Sequence, residues 1–318
     1  SSSLKYQLIN NETEEVLAKG TVERIGIKGG KLTHKAGGKE FVIEKEIKDH
    51  TEAIQIVLNE LIDGEAGVIR SMDEIDAVGH RVVASGEAFK KTTLVTDEVM
   101  QTMEEIAELA PLHNPAAILG VNACRAVMPG KKMALVFDTS FHQTMPDYAY
   151  LYAIDYDDYK TYQVRKYGAH GTSHKFVSQA AAEYLGKKPE ELKIITCHLG
   201  NGSSISAVDG GKCIDTSMGF TPLAGVPMGT RSGDIDAAAV EFLCRKKGMN
   251  IHDGLTYLNK KCGMLGISGV SSDYRDLTAA AKEGNYRAQL ALNMFSYACK
   301  KYVGSYMAAL GGLDVIVF

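Results

Sequence analysis

At 318 residues, with 45% hydrophobic and 23% charged side chains, the chain is long enough to bury substantial cores and suggests two domains more readily than one. A net charge of −4 gives no basic footprint for nucleic acid, and neither a Lys/Arg run nor the roughly 18 consecutive apolar residues of a span points to a membrane. Six cysteines, at 124, 197, 213, 244, 262 and 299, show no C-x-x-C spacing, which argues against a zinc site or disulfide framework and, with no signal-peptide pattern, suggests reduced thiols in a cytoplasmic setting.

In chain order, Ser1-Ser2-Ser3-Leu4-Lys5 leads into a strand from Leu4 to Ile9, and a second strand reads at Phe41 to Ile43. Asp49 with Glu52 is a capping-box variant for a helix to Ile62, with Ile54, Val57, Leu58 and Leu61 on one face and Gly64 just beyond. Ile75 to Gly79 reads as a short buried strand delivering His80 and Arg81. Thr96 caps a helix carrying Val99, Met103, Ile106 and Ala110 that stops before Pro111. Met133 to Phe137 is an apolar strand with Asp138 at its carboxyl end, where ligands gather in open α/β sheets.

After Pro146 a Tyr- and Asp-rich stretch runs from Asp147 to Tyr162, followed by a loop around His170 and a helix from about Ser173 to Tyr184, ended by Gly186. The change from one strand-and-helix set to another places a domain boundary near Gln143, giving residues 1–142 and 143–318. Two strands, at 193–196 and 205–208, bracket His198-Leu199-Gly200-Asn201-Gly202-Ser203-Ser204. Such a turn exposes backbone N–H groups that suit phosphate oxygens, and it also suits an ordinary hairpin. Asp234 opens a helix containing Ile235, Ala238, Ala239, Phe242 and Leu243, and Tyr286 to Leu310 has the apolar density of one or two buried helices. Leu313 to Phe318 reads as a buried strand, and both ends of the chain read as cut.

Neither G-x-x-x-x-G-K-[ST] nor G-x-G-x-x-G occurs, so P-loop and dinucleotide-binding chemistry is disfavoured. Arg81, beside Val83, suits a carboxylate next to an apolar slot, with a structural ion pair as the competing reading. Arg231, in the loop Met228-Gly229-Thr230-Arg231-Ser232-Gly233, can follow a phosphoryl group through transfer or simply bond backbone carbonyls. His170 and His174 have a metal-ligand spacing for a helix, but Gly171 disfavours helix there, and His174 reads as a cap or core histidine. His113 and His198 stand open between packing and a site. Asp138 faces a competing reading as a cap with Thr139-Ser140.

These stretches, with Gly79-His80-Arg81-Val82-Val83, Pro111-Leu112-His113-Asn114-Pro115, Val136 to Pro146, Tyr167 to His174 and Asp215 to Asp236, closely resemble the acetate kinase family over nearly the whole chain. The resemblance implies two actin-like, ribonuclease H-like α/β domains flanking a nucleotide cleft, an architecture similar to that of sugar kinases, the Hsp70 nucleotide-binding domain and actin. The first domain would carry acyl-substrate residues, and the second, incomplete, would bind nucleotide and form a homodimer. The implied activity is reversible phosphoryl transfer from ATP to acetate, giving acetyl phosphate and ADP. By family position Arg81 holds the carboxylate, Val83, Leu112, Ala169 and Pro222 shape the acyl slot, and His170 and Arg231 stabilise the transferring phosphoryl.

Asp138 holds the family's general-base position. A short-chain acid is already ionised near pH 7, so positioning Arg81 or a magnesium-bound water suits Asp138 better. Ser1, Ser3 and Lys5 match the first phosphate-contacting turn, His198, Leu199, Gly200, Asn201 and Gly202 the second, and Asp273, Tyr274 and Arg275 the segment contacting adenosine. The family's magnesium-associated Asn and Glu have no counterpart in this sequence, so Mg2+ is expected as a nucleotide complex. Ala84-Ser85, Val226-Pro227 and Ala169, the last where Phe is frequent, depart from the common pattern. Propionate or butyrate kinases of the same fold, or a nucleotide-regulated binding module, are the rival readings.

Overall fold

Leu4, Tyr6 and Leu8 alternate with polar residues, and this period of two sets the face that the first sheet turns to its core. The computed structural model describes residues 3–63, 65–109 and 113–318. They fall into two units, residues 1–83 with 92–136, and residues 84–91 with 137–318.

In the first unit β1 (Ser3–Ile9), β2 (Val16–Glu23), β3 (Lys31–Ala36) and β4 (Lys39–Glu44) form an antiparallel sheet in sequence order. The pattern predicts only β1 and the centre of β4. In the two middle strands Lys, Gly, Thr and His interrupt the apolar positions, although a Gly-Gly turn between β3 and β4 is a hairpin signal. α1 (His50–Ile62) starts as expected, with Asp49 accepting from Glu52 N–H at 2.9 Å. Its Ile54, Val57, Leu58 and Leu61 are buried against Val22 and Leu32. Gly64 lies outside the described residues.

The strand expected at 75–79 is displaced: Ile75 closes a 3₁₀ turn at Met72–Glu74, and β5 (Ala77–Val82) contains His80 and Arg81 within it. β6 (Thr93–Leu94) precedes α2 (Asp97–Glu105), which Thr96 caps; the helix ends before Ile106, and Ala110 and Pro111 lie outside the described residues. α3 (Asn114–Val127), with Pro in its first turn, is not anticipated by the pattern. β7 (Lys132–Phe137) is the centre of a three-stranded sheet of order β5-β7-β6.

The second unit opens its Tyr-rich stretch with α4 (Asp147–Tyr150) and α5 (Tyr156–Tyr162). Arg165 lies 3.4 Å over the Tyr150 ring and pairs with Glu87 at 2.6 Å, tying residues 84–91 to this unit. α6 (Gly171–Tyr184) begins at the glycine expected to oppose it. β8 (Lys193–Leu199), β9 (Ser203–Asp209), β10 (Lys212–Thr216) and β11 (Val315–Val317) form a sheet of order β10-β9-β8-β11, with β11 parallel to β8 and the other pairs antiparallel.

α7 (Ala237–Lys247) is capped by Asp236 rather than Asp234. Asp234 instead accepts from Gly225 N–H and the Tyr302 hydroxyl, which commits its carboxylate elsewhere. α8 (Ile251–Lys260), α9 (Gly263–Ser268) and α10 (Tyr274–Lys282) follow, and α11 (Tyr286–Leu310) is a single helix of 25 residues.

Period-two alternation divides β8 and β9 between two helices. Ile195, Ile205 and Ala207 cluster with Tyr306 and Leu310 of α11, while Ile194 and Val208 cluster with Ala182 of α6. Thr196, His198 and Ser204 share the parity of that second set, and so face α6.

Candidate active site

α6 buries Gly171, His174, Ser178 and Ala182 along one stripe. This stripe lies on the polar end of the sheet face just described. His174 Nδ1 and Nε2 bond Thr196 Oγ1 and Ser204 Oγ, both at 2.7 Å, and Ser173 Oγ bonds His198 Nδ1 at 3.0 Å. Burial, reinforced by His142, His170 and His198, pushes the His174 imidazole well below its usual range. His174 is therefore a neutral core histidine inside the helix rather than a cap.

His170 sits at the N-cap of α6 with φ 57°, in left-handed backbone space. Gly171 allows this approach: its N–H donates to the Asp138 carbonyl at 2.7 Å, and a Cβ there would lie 2.3 Å from the same oxygen. His170 Nδ1 bonds Ser204 Oγ at 2.8 Å, and its ring stacks on His198 with centroids 4.1 Å apart. Its Nε2 lies beside the hairpin turn. A Cβ on Gly202 would lie 3.4 Å from His170 Nε2 and 3.5 Å from Arg231 Nη1. Imidazole and guanidinium thus border the same bare stretch of turn.

Arg231 Nη1 donates to the Pro222 carbonyl at 3.1 Å, as the backbone-bonding reading foresaw. No carboxylate among the described residues pairs with it, and burial lowers its pKa while an arginine stays charged. A half-buried cation without a counter-charge favours an anionic ligand. Its loop is fixed on both sides. Gly229 N–H donates to the Asn201 carbonyl at 3.1 Å, and Cys262, Met264 and Leu265 N–H groups donate to Thr230, Met228 and Gly229.

Pro222 therefore meets Arg231 through its carbonyl, and Ala169 is buried in a cluster with Met218 and Met228. The Ala169 carbonyl accepts from His142 Nε2–H at 2.8 Å, and burial pushes His142 down to about 4. Asp138 is buried, and Thr139 uses its hydroxyl on Ser85 N–H at 3.1 Å rather than as a helix cap. Leu199 is exposed at the end of β8, and Gly200 accepts from Ser203 Oγ at 2.8 Å. Asp273 caps α10 and chelates the Arg275 guanidinium at 2.6 and 3.0 Å, while Tyr274 packs edge-on against Phe295. Ser272, beside Asp273, lies 3.3 Å from the Cβ position of Gly229, so this segment borders the Arg231 loop.

In the first unit Ser3 begins β1, and Lys5 and Arg81 both line a cavity of about 750 Å³ between the edge strands β1 and β5, floored by Leu58 and Cys124. Val83 follows β5 directly and is half-buried. His80 Nε2 is buried with no partner among the described residues, and burial lowers that imidazole's pKa. Ser1 and Leu112 lie outside the described residues; His113 is the N-cap residue of α3 and makes no side-chain capping bond. Among the described residues no cluster of three or more His, Cys, Asp or Glu could hold a metal ion, and no helix is long and apolar enough to cross a membrane.

Thr196, Ser204, Met218 and Met228 escaped the sequence reading as site residues. Ser204 lies inside the recognised turn sequence, but its role depends on which helix covers its face of the sheet.

The second unit is an α/β body with an anion-directed site at a sheet hairpin, the arrangement of a phosphate-handling enzyme. The sequence model described as the Acetokinase family matches residues 1–318. Acetate kinases of Thermoanaerobacterium thermosaccharolyticum and Clostridium novyi are 60% and 57% identical, across 100% of this chain and 80% and 79% of theirs. The crystal structure of Porphyromonas gingivalis acetate kinase superposes with a TM-score of 0.97 at 48% identity, over 100% of this chain and 80% of that one. A propionate kinase from Francisella tularensis gives 0.94 at 41%, with the same coverage. The chain belongs to the acetokinase family and has its two-domain, actin-like α/β fold.

Proposed function

We propose that the chain catalyses reversible transfer of the terminal phosphoryl group of ATP to acetate, forming acetyl phosphate and ADP. The observation that carries this reading is the convergence of His170 Nε2 and Arg231 Nη1 on Gly202. A phosphoryl group against that turn would meet a fixed cation, an imidazole N–H and backbone N–H groups, which together balance the charge on its equatorial oxygens. Phosphoryl transfer needs little else from a protein beyond alignment of the attacking oxygen.

Arg81 is assigned to the acceptor carboxylate, with Val83 and Leu112 at the acyl chain. Acetate arrives ionised, so no base has to deprotonate it, and Asp138 serves as a positioning carboxylate. Asp273, Tyr274 and Arg275 are assigned to the adenosine side of the Arg231 loop, and Ser3 and Lys5 to phosphate. Mg2+ is assigned to the nucleotide complex, because this ion keeps several waters and leans on phosphate oxygens. Residues 1–142 and 143–318 are taken as acyl-substrate and nucleotide domains, the latter pairing two copies in a cytoplasmic homodimer.

ADP release from ATP, measured with and without acetate, tests the assignment. Turnover that depends on acetate supports it; nucleotide turnover indifferent to acetate points to a nucleotide-regulated module. Propionate is the second substrate to assay, because a propionate kinase shares this fold at a TM-score of 0.94.

A further inference from the structure

Beneath the turn three buried polar groups and the half-buried His170 form one chain. Thr196 Oγ1 bonds His174 Nδ1 at 2.7 Å, His174 Nε2 bonds Ser204 Oγ at 2.7 Å, and Ser204 Oγ bonds His170 Nδ1 at 2.8 Å. A serine hydroxyl carries one hydrogen, so between two rings it donates to one and accepts from the other. His174 is neutral and has one ring proton. Two arrangements satisfy every bond.

In the first, Thr196 donates to His174 Nδ1, His174 Nε2–H donates to Ser204, and Ser204 donates to Nδ1 of a neutral His170 protonated on Nε2, the commoner tautomer of free histidine. In the second, every bond runs the other way: His170 Nδ1–H donates to Ser204, Ser204 donates to His174 Nε2, and His174 Nδ1–H donates to Thr196. Only the second accepts an imidazolium at His170, because a doubly protonated ring has no lone pair to offer.

We propose that Ser204 is a positioning residue that couples His170 to His174, so that when His170 gains its second proton the Ser204 hydroxyl reverses and His174 changes tautomer while staying neutral. Neutral His170 in the first arrangement and the imidazolium in the second both carry an Nε2–H beside Gly202. The ring can therefore change charge without withdrawing its donor from the anion site. The importance of this for turnover rests on the role given to His170 above; the coupling is a property of the four side chains alone. Titratable or charged groups that face this pair among the described residues include His198 stacked on His170, Arg231 across Gly202, and His142, 5.7 Å from the His174 ring. Burial keeps His142 neutral against the opposing pull of the Asp138 carboxylate.

The test is NMR of the chain labelled with ring-15N histidine, titrated between about pH 8 and pH 5, the range in which histidines change charge. The expected result is that His174 moves its proton from Nε2 to Nδ1 with the same midpoint at which His170 becomes doubly protonated. Ser204→Thr preserves the movement, and Ser204→Ala or His170→Gln abolishes it. A His174 that keeps one tautomer while His170 titrates overturns the proposal, as does movement that persists in Ser204→Ala. If Ser204→Ala does not fold, the wild-type titration and His170→Gln still decide. Acetate-dependent ADP release is measured alongside. Coupling without turnover counts against the proposed function alone, and turnover without coupling counts against the relay alone.

Discussion

Arg231 and Arg81 are the same residue type in two kinds of environment. Arg231 is half-buried, bonded to a carbonyl and faces a turn where charge would develop, whereas Arg81 lies exposed along β5 beside a cavity. An interaction that strengthens only in the transition state appears in kcat, and one made with bound substrate appears in KM. Arg231→Ala is expected to lower kcat by about 100- to 1,000-fold, the scale of losing one charge-stabilising group. Arg81→Ala is expected to act mainly on the KM for acetate. Steady-state kinetics showing the opposite split removes the division of roles. Ala169 has a different constraint, because Met218 and Met228 fill the space beside it. Ala169→Phe therefore overpacks a methionine cluster, costing about 1–3 kcal/mol, and is expected to lower Tm. It is also expected to reduce the kcat/KM ratio of propionate to acetate if methionine yields toward the acyl group; an unchanged ratio places Ala169 out of reach of the substrate. His170, Arg231 and the Gly200-Asn201-Gly202 turn were legible from residue type and family resemblance. Thr196 and Ser204 were not, because nothing local says that the alternate positions of β8 and β9 end up under α6.

At the scale of elements, legibility followed the strength of local signals. Asp49 and Thr96 cap their helices as predicted, and the apolar stripe of α1 is the buried one. α3 and the run from α8 to α10 went unread: α3 and the short α9 start without a side-chain cap, and α8 and α10 bury only Gly254, Leu258 and Leu277. The cap of α7 moved from Asp234 to Asp236 because two Asp residues compete and tertiary bonds to Gly225 and Tyr302 claim the first. Gly171 shows a local rule correctly stated and overridden. Glycine is a poor helix former by about 1 kcal/mol relative to alanine, yet it starts α6 because the Asp138 carbonyl leaves no room for a Cβ. Gly171→Ala is accordingly expected to destabilise despite its better propensity. The clash is with backbone and cannot be relieved by a side-chain rotation, so an overpacking cost of about 1–3 kcal/mol outweighs the propensity gain. His170, in left-handed space next door, moves with it. Thermal unfolding should show a lower Tm and kinetics a lower kcat. A variant more stable than the parent, with unchanged turnover, would mean that the helix start tolerates the shift.

Across the whole molecule three imidazoles are shifted in the same direction. His142 and His174 in the second unit and His80 in the first are all held by burial below the ordinary value of 6.5, His142 down to about 4. Between those two values the unfolded chain binds protons that the folded chain refuses, so unfolding takes up protons and stability rises with pH. Stability is therefore complete above about pH 6.5 and is lost as pH falls toward 4. For His142 alone the loss over that window is on the order of 3 kcal/mol, at about 1.36 kcal/mol per pKa unit. Asp273, held at about 2 by the Arg275 guanidinium, and Glu52, held below 4.5 by the Lys48 backbone N–H, act only under more acidic conditions. Glu60, raised by burial, opposes the trend where it titrates, because its folded form holds a proton longer than the unfolded one. Urea unfolding followed from pH 7.5 to pH 5 is expected to give a slope near pH 5.5 corresponding to uptake of more than one proton. His142→Gln retains an N–H for the Ala169 carbonyl and removes one titrating ring, so its slope should fall by about one proton. A slope unchanged in His142→Gln would mean that the ring is protonated in the native state at that pH, and a stability that holds steady or climbs toward pH 5 would contradict the neutral state of all three imidazoles.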